Sequence, residues 1–343
     1  MAYKLYFKYI LLSAILAVSS CSLEVGDTKE ADPYTPVLKP GPSGDWDERN
    51  VVDPCVIYGY DPISASDKYI MYYSGCDNAE TYQIGYAISD NGKSWMKPDL
   101  GGGDNICLSN GAAVSWSEGG IIGPQVIKVG AAYHMWYTGY DDSNNFQIGY
   151  ASSPDGVDWT PDALPVLSPT GNAGDFDESH IRGVAVYYDG DYHVYYTGIN
   201  SQGYAYIAYI TTAVPNSMSN AGASLAQLGP ASNTYHSGGL RAPSVLYDSN
   251  DTTYKMWPTA SASLSSIGYA ESSFPGSGWL ITTSPVLTAH STGFDAIQVA
   301  LCCVIKHPLS SGFLMWYSGW SSDGVSIGYA SSSNGYTWDK YMK

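Results

Sequence analysis

The sequence predicts an all-β fold, and three observations lead to that prediction. The chain of 343 residues contains 31 Tyr, 10 Trp and 37 Gly. This composition suits short strands joined by tight turns, because aromatic side chains pack on pleated surfaces and Gly adopts positive φ. A short motif recurs five times along the chain. Asp-Gly or Asn-Gly turns, which are typical of β-hairpins, follow three of the copies.

The repeated unit has a period of about 60 residues. One part of it is the tetrapeptide Ile-Gly-Tyr-Ala, present in full or in related form at 84–87, 148–151, 207–210, 267–270 and 327–330. An aromatic stretch precedes each tetrapeptide, at 71–75, 135–139, 194–198, 256–260 and 315–319. A thirteen-residue segment precedes each aromatic stretch, at 46–58, 116–128, 176–188, 235–247 and 294–306. With the stretch behind the turn, each repeat supplies four strands.

Five repeats of four antiparallel strands predict a five-bladed β-propeller over residues 36–343, because blades packed around an axis protect their sheet edges. A β-sandwich needs no regular period, and a sialidase-like propeller would need six repeats. The repeated Tyr and Trp are expected to form the core between blades. A Pro-Val-Leu trio at 36–38 recurs at 165–167 and 285–287. We therefore expect the first trio to help close the ring against the fifth blade.

The N-terminal segment is typical of a bacterial lipoprotein. Two lysines precede an apolar run at 10–18 that is too short to span a bilayer. Residues 1–20 are therefore predicted to be a signal peptide, and Cys21, which follows small residues, is the predicted site of lipidation. Acyl chains would anchor the chain in the cell envelope, and Ser22 favours the outer membrane. The alternative is an ordinary signal peptide followed by a chance Cys. The polar residues 21–35 predict a flexible tether.

The charge balance excludes one class of partner. The chain has 32 acidic and 15 basic residues, which gives a formal net charge of −17. That sign is wrong for binding a phosphate backbone, so nucleic acid is not an expected partner. Contact with a membrane is expected through the lipid anchor only, and the folded domain is expected to be a monomer.

The Cys and His residues predict no metal centre and no cofactor. Five Cys remain besides Cys21, an odd number without paired metal-ligand spacing, so a full disulfide framework is not predicted and a single bridge is left open. The six His also lack metal-ligand spacing. Residues 141–145 lack the later Gly and Glu of a calcium loop, although a structural calcium ion is left open.

The strand motif, the Gly-Tyr strand and the Asp-Gly-x-x-Trp turn together resemble the five-bladed glycosidases of families 43 and 32, across residues 36–341. The resemblance implies three carboxylates at the mouth of an axial funnel, because the leaving oxygen needs a proton while water or a carboxylate attacks the sugar. In the first blade Val52-Asp53-Pro54 matches the Asp-Pro signature, which makes Asp53 the expected base or nucleophile. The second and third blades depart from the pattern, with Gly123 and Gln125 at the second position and Arg182 where the general acid is expected.

Substitute acids precede the innermost strands, and Glu178 is the best candidate for the missing general acid. The alternative is that these carboxylates cap turns or pair with arginines. Aromatic residues at the same register, Trp46 and Trp116 among them, are candidates for stacking on a sugar.

A basic group is the second candidate feature. Arg182 and Arg241 occupy the same place in their thirteen-residue segments, with His180 nearby and Gln125 one blade away. Equivalent positions of inner strands converge toward the axis, so these side chains are expected to face one funnel. Paired guanidinium groups suit a carboxylate or sulfate on a sugar. The alternative is a set of ion pairs that tie adjacent blades together.

These features predict a lipid-anchored protein that acts on an oligosaccharide or polysaccharide as a glycoside hydrolase. The rival prediction is a non-catalytic propeller that binds glycans, which the loss of two of the three acids favours. A purely structural or protein-binding propeller is the third alternative.

Overall fold

The computed structural model describes residues 34–110, 115–220, 224–262 and 264–342. The predicted signal peptide, most of the tether and Cys21 lie outside the described residues. Within those ranges the chain forms 21 strands and a single short 3-10 turn, Ser115–Ser117, so the predicted all-β fold is confirmed. No helix in the described part of the chain is both long and apolar enough to cross a membrane.

The strands fall into five consecutive sets, which we call repeats 1 to 5. Repeat 1 contains β1 (Asn50–Asp61), β2 (Ser66–Cys76), β3 (Tyr82–Ser89) and β4 (Ile106–Leu108). Repeat 2 contains β5 (Gly120–Val129), β6 (Ala132–Tyr140), β7 (Phe146–Ser153) and β8 (Thr160–Pro161). Repeat 3 contains β9 (His180–Tyr188), β10 (Tyr192–Ile199), β11 (Ala205–Thr212) and β12 (Ser224–Leu228). Repeat 4 contains β13 (Leu240–Asp248), β14 (Thr253–Ala260), β15 (Ser266–Ile267), β16 (Ala270–Ser272) and β17 (Leu280–Ile281). Repeat 5 contains β18 (Gln298–Lys306), β19 (Phe313–Ser321), β20 (Gly324–Ser332) and β21 (Asp339–Lys340).

Strands within a repeat pair antiparallel in chain order. Repeat 4 departs from this order, because its third strand is divided into β15 and β16, which both pair with β14. The gap in the ladder falls opposite Trp257 and Pro258. Proline has no backbone N–H to donate, so Pro258 accounts for the break.

The first strands of the repeats contact one another in order, and the last of them contacts the first. β1 lies against β5, β5 against β9, β9 against β13, β13 against β18, and β18 against β1. Repeats 5 and 1 are also joined by a parallel pairing of Asn50 with Val325. The sheets are therefore arranged around a common axis.

The Pro-Val-Leu trio has the closing role that its recurrence predicts. Leu38 forms a bridge to Ile327 of β20, with 2.9 Å from Ile327 N to Leu38 O. Leu167 makes the same bridge to Ile148, and Leu287 makes it to Ile267. The segment before repeat 1 thus adds to the sheet of repeat 5.

Buried aromatic side chains of the second strands link each repeat to the next. Each donates a hydrogen bond from its indole N–H or hydroxyl to a carbonyl in a turn of the following repeat, and repeat 5 donates to repeat 1. The bonds are Tyr72 to Gly156 (2.7 Å), Trp136 to Pro215 (2.9 Å), Tyr195 to Pro275 (2.7 Å), Trp257 to Gly335 (2.6 Å) and Trp316 to Gly92 (2.8 Å). The expectation that repeated aromatics form the core between repeats is therefore confirmed.

The Cys residues of the described region form no disulfide. All five carry free thiols, namely Cys55, Cys76, Cys107, Cys302 and Cys303. The single bridge that the sequence left open is not present among them.

Candidate functional site

Each first strand carries a bulge at the same place, where one residue takes a left-handed conformation. The strand ladder skips this residue in every repeat. The five residues are Asp53 (φ 54°), Gly123 (65°), Gly183 (59°), Ala242 (42°) and Leu301 (54°). Left-handed backbone costs a non-glycine residue about 1–2 kcal/mol, and bulges redirect side chains. We call these positions the bulge ring.

Hydrogen bonds to hydroxyl groups hold the bulge ring in place. The N–H of each bulge residue donates to a buried Ser or Thr on the second strand of the preceding repeat. The pairs are Gly123 with Ser74 (2.9 Å), Gly183 with Thr138 (3.1 Å), Ala242 with Thr197 (2.8 Å), Leu301 with Thr259 (2.7 Å) and Asp53 with Ser318 (3.0 Å). The last pair joins repeat 1 to repeat 5, so this circle of bonds also closes.

A pocket of about 90 Å³ lies on the axis at the bulge ring. Asp53, Arg182 and Arg241 all line it, so the structure brings together the acid and both arginines that the sequence singled out. Tyr82, Gln298 and Trp320 line the same pocket. A cavity of this volume is small for a whole oligosaccharide, so the pocket fits one chemical group or the end of a longer ligand.

Asp53 is the carboxyl group of this axial pocket. Its Oδ2 accepts a hydrogen bond from Ser74 Oγ at 3.3 Å. Burial raises the pKa of Asp53 to about 6, against the opposing effects of the Ser74 bond and the positive charge of Arg182. Near neutral pH both the protonated and the ionised carboxyl are accessible, as a proton donor or acceptor in catalysis requires.

The two arginines have different neighbours, and Arg182 is close enough to Asp53 for its positive charge to act on that carboxyl group. Arg241 donates from Nη2 to Ser265 Oγ at 2.9 Å, and the N–H of Ser265 donates to Gln298 Oε1 at 3.2 Å. Burial lowers the pKa of Arg241 to about 10, which leaves the guanidinium protonated at neutral pH. The guanidinium carbon of Arg182 lies 5.9 Å from the ring centre of Phe146, a cation–π distance.

Glu178 does not fit the role of general acid. It does not line the axial pocket, and its carboxylate accepts hydrogen bonds from Gly174 N at 2.6 Å and Ser201 N at 2.5 Å. These bonds lower its pKa, which is the wrong direction for a proton donor at neutral pH. Glu48 braces the corresponding loop of repeat 1 through Gly44 N. The alternative that these carboxylates cap turns therefore describes Glu178 correctly.

The structure places Trp46 and Trp116 away from the axial pocket. Trp46 stacks on Tyr73 with ring centres 5.7 Å apart, and Trp116 stacks on Tyr137 at 6.0 Å. Neither tryptophan lines the axial pocket. A side chain in place of Gly75 or Gly139 would collide with these indoles, so the glycines of the second strands make room for them as part of the packing.

Gln125 and His180 do not line the axial pocket. Gln125 lines a second cavity of about 50 Å³, which begins at the bulge ring and is also lined by Asp53 and Cys303. His180 packs edge-on against Phe146, with ring centres 5.4 Å apart. Burial and the charge of Arg182 lower the pKa of His180, so its neutral form predominates at pH 7.

Two aromatic residues that line the pocket, Tyr82 and Trp320, were not predicted from the sequence. Trp320 follows the Ser-Gly pair of its second strand. The equivalent residues of repeats 1 to 4 are Cys76, Tyr140, Ile199 and Ser261. This position varies among the repeats, whereas the pair before it changes little. That contrast is the signal that could have identified Trp320.

No group of three or more His, Cys, Asp or Glu side chains within the described ranges is arranged to hold a metal ion. The chemistry available at the axial pocket is therefore that of one carboxyl group, two guanidinium groups and neutral donors.

Comparisons with known proteins place this fold among carbohydrate-active enzymes. No family model matches the chain. A 1,2-β-oligomannan phosphorylase from Thermoanaerobacter is 26% identical over 154 residues, which are 42% of this chain and 47% of the relative. The chain thus spans about half the length of the curated relative it matches.

Solved structures match over most of the chain. A structure described under the GH130 family of mannoside phosphorylases, which contains hydrolases of β-1,2 mannosidic linkages in Candida mannan, has a TM-score of 0.66 at 15% identity and covers 94% of this chain and 99% of that one. A thermostable family-43 glycoside hydrolase has a TM-score of 0.64 at 17% identity and covers 86% and 93%. The chain therefore has the fold of the glycoside hydrolase and phosphorylase structures of these families.

Proposed function

We propose that the protein is a surface-anchored, five-bladed β-propeller that cleaves glycosidic bonds at the axial pocket, with Asp53 as the proton donor. Each repeat is then one blade. Two circles of hydrogen bonds that both close between repeats 5 and 1 support this architecture, as does the likeness to glycoside hydrolase structures.

The observation that carries the proposal is the environment of Asp53. It is the only carboxyl group among the described residues that line the axial pocket, and its pKa is raised to about 6 by burial. Cleavage of a glycosidic bond needs a proton on the leaving oxygen. A carboxyl group with a pKa near the working pH is suited to donate that proton and to be reprotonated.

The pocket differs from that of an ordinary glycosidase in what it offers to activate the molecule that accepts the glycosyl group. Hydrolysis with two carboxyl groups uses the second one to activate water or to attack the sugar, and the described pocket lining offers no second carboxyl. Phosphorolysis needs no such base, because phosphate is itself the nucleophile. The relatives named above include phosphorylases and hydrolases of β-1,2-mannosides, which are therefore the first substrates to test.

The test compares Asp53→Asn with the wild type on β-1,2-mannobiose and on a wider set of oligosaccharides, with and without inorganic phosphate. Loss of the proton donor should reduce turnover by roughly ten-thousand-fold. Glu178→Gln is the matched control, because it removes a carboxylate in the loop before β9, outside the axial pocket, and should leave turnover unchanged. Turnover that does not depend on Asp53 would contradict the proposal.

A non-catalytic glycan-binding protein is the second candidate function. The small volume of the axial pocket, about 90 Å³, and its single carboxyl group favour this candidate. It predicts oligosaccharide binding by calorimetry without turnover of any sugar in the same set. Asp53→Asn should then leave affinity for neutral sugars unchanged.

Anchoring at the cell surface is the remaining part of the proposal. The lipobox-like sequence ahead of Cys21 supports it. Cys21→Ala should move the protein from the membrane fraction to the soluble fraction, while its circular dichroism spectrum stays that of the wild type. Equal membrane association of both forms would contradict lipidation at Cys21.

A further inference from the structure

The axial pocket differs from the rest of the molecule in the sign of its charge. Two arginines and one aspartate are the charged residues in its described lining, so the lining carries +1 with Asp53 ionised (2 − 1) and +2 with Asp53 protonated. The whole chain carries −17. Burial and the mutual repulsion of the two guanidinium groups both oppose this arrangement, and an anionic ligand would offset both.

The positive charge lies on one wall of the pocket. Arg182 and Arg241 occupy equivalent positions in β9 and β13, immediately before the bulge residues of repeats 3 and 4. The same position carries Val52, Ile122 and Ala300 in the other three repeats. All five of these residues line the pocket. The wall formed by repeats 3 and 4 is therefore cationic. The wall formed by repeats 5, 1 and 2 carries Asp53 and Gln298 but is otherwise largely apolar, and we call it the apolar wall.

The surroundings of the arginines suit the recognition of an oxyanion. Arg241 donates to Ser265, which in turn donates to Gln298, and these two neutral residues help to fix the guanidinium without cancelling its charge. Two planar guanidinium groups from adjacent strands present several N–H donors, which match the oxygens of a carboxylate, sulfate or phosphate group. Trp320 belongs to the apolar side of the pocket, where an indole can pack on the C–H face of a sugar ring.

We propose that the axial pocket selects an oxyanion, which binds between Arg182 and Arg241 while the uncharged part of the ligand lies against the apolar wall and Trp320. This inference rests on the axial pocket being the ligand site of the proposed function. The oxyanion has two sources with the same chemistry. It is either a carboxylate or sulfate carried by the terminal sugar of a glycan, or free inorganic phosphate bound beside a neutral sugar.

The experiment is calorimetry on the full-length protein in detergent, with three probes. The probes are an oligosaccharide that ends in a uronic acid, its neutral counterpart that ends in the parent hexose, and inorganic phosphate alone. A sugar-borne oxyanion predicts that the acidic oligosaccharide binds roughly 10- to 100-fold more tightly than the neutral one. Free phosphate predicts measurable binding of phosphate alone. In both cases affinity should fall as salt rises.

Three variants complete the design. Arg182→Gln and Arg241→Gln should each remove most of the preference for the anion, and Arg182→Gln serves alone if loss of the buried Arg241 prevents folding. Arg49→Gln is the control, because Arg49 pairs with Glu80 at 3.0 Å on the surface and should leave the preference unchanged. Equal affinity for acidic and neutral sugars together with no binding of phosphate would overturn the inference, as would anion binding that is indifferent to Arg182→Gln.

The outcome is separable from that of the proposed function, because binding is measured without turnover. Asp53→Asn removes a negative charge from the pocket, so it should bind the anionic probe at least as tightly as the wild type. Weaker binding of that probe by Asp53→Asn would contradict the placement of the oxyanion in the pocket with Asp53.

Discussion

The aspartates that precede the first strands of repeats 1 and 5 differ from Asp53 in how their charge is compensated. Asp47 and Asp295 precede the first strands of repeats 1 and 5 at equivalent positions, with 1% and 0% of their surface exposed. Asp295 accepts from Lys340 Nζ at 2.5 Å and from the Tyr317 hydroxyl at 3.0 Å. Asp47 accepts from Lys97 Nζ at 2.6 Å and the Tyr73 hydroxyl at 2.7 Å.

Asp53 is not bonded to a lysine and a tyrosine in this way, and the positive charge that acts on it is that of Arg182. The side-chain hydrogen bond described for it comes from Ser74, a neutral hydroxyl, and burial raises its pKa. The acid that recurs among the repeats therefore holds the lead-in loop to the sheet. A lysine neutralises it in repeats 1 and 5, and Tyr196 and Asn220 donate to Asp177 in repeat 3. Asp53, which occurs in repeat 1 only, has a carboxyl group that can gain or lose its proton near neutral pH. In this repeat protein, the acids that recur hold the fold together, and the acid that occurs in one repeat is the candidate for chemistry.

The largest loss of stability is expected when one member of a buried ion pair is removed. Asp295→Ala leaves the ammonium of Lys340, whose side chain is 12% exposed, without its carboxylate. Removing one member of a buried ion pair costs about 3–5 kcal/mol, so the free energy of unfolding should fall by that amount in urea titrations at pH 7. Asp339→Ala, at an exposed residue of the same strand, is the control. A loss below about 1 kcal/mol would mean that the pair is not a structural clamp.

Asp53→Asn should have the opposite sign and stabilise the protein at pH 7. The folded-state pKa of about 6 exceeds the ordinary value of 3.8, so the folded protein binds this proton more tightly than the unfolded chain. The associated stability is present below about pH 4 and is lost as the pH rises to about 6. The difference of about 2 pKa units corresponds to about 3 kcal/mol as an upper estimate.

The measurement is the free energy of unfolding of wild type and Asp53→Asn between pH 4 and pH 8. The two curves should diverge as the pH rises through this window, with the variant more stable above pH 6. Other acids titrate in both proteins, so the difference between the curves isolates Asp53. Parallel curves would show that the carboxyl of Asp53 is not desolvated.

A smaller effect is expected from the hydroxyl that supports Asp53. Ser74→Ala removes the bond to Asp53 Oδ2 and the bond that Ser74 accepts from the N–H of Gly123. The pKa of Asp53 should rise further, because a bond to the ionised form is lost, and stability should fall by about 1–2 kcal/mol. A ¹³C NMR titration of the carboxyl carbon measures the pKa.

Thr259→Ala is the matched control for Ser74→Ala. It breaks the equivalent bond to Leu301 at 2.7 Å but leaves Asp53 alone, so the pKa of Asp53 should not move. Ser74→Thr should restore the wild-type pKa, because Thr occupies this position in three other repeats. The same pKa in all four proteins would mean that Ser74 has no part in setting it.

Much of the architecture followed from the sequence, because repetition carries structural information without an alignment. The strand motifs, the aromatic core between repeats and the closure by the segment that contains Leu38 are all tied to recurring residues. The meeting of Asp53, Arg182 and Arg241 followed from their neighbouring positions in aligned segments. What recurs in sequence is placed equivalently around an axis, and this is enough to locate a pocket.

Where the structure departs from the expected site, the property concerned is one that a repeat does not encode. The sequence shows that Glu178 is near the right strand but cannot show that backbone N–H groups of its own loop take up its carboxylate. Gln125 lies two residues beyond a bulge, and the bulge decides which side of the ring it faces. The Ser and Thr residues that hold the bulge ring lay within a recognised motif, where their function could not be told apart from strand formation.

The circle of hydrogen bonds around the bulge ring also determines when, during synthesis of the chain, the pocket can be completed. Asp53 leaves the ribosome with the first repeat, whereas the hydroxyl that receives its amide, on Ser318, belongs to the last. Trp320, on the apolar wall of the pocket, follows two residues later. A nascent chain, or one cut short by a premature stop codon, therefore carries the acid without a finished pocket around it. The protein acquires a complete site only after its final repeat has been translated and docked against the first.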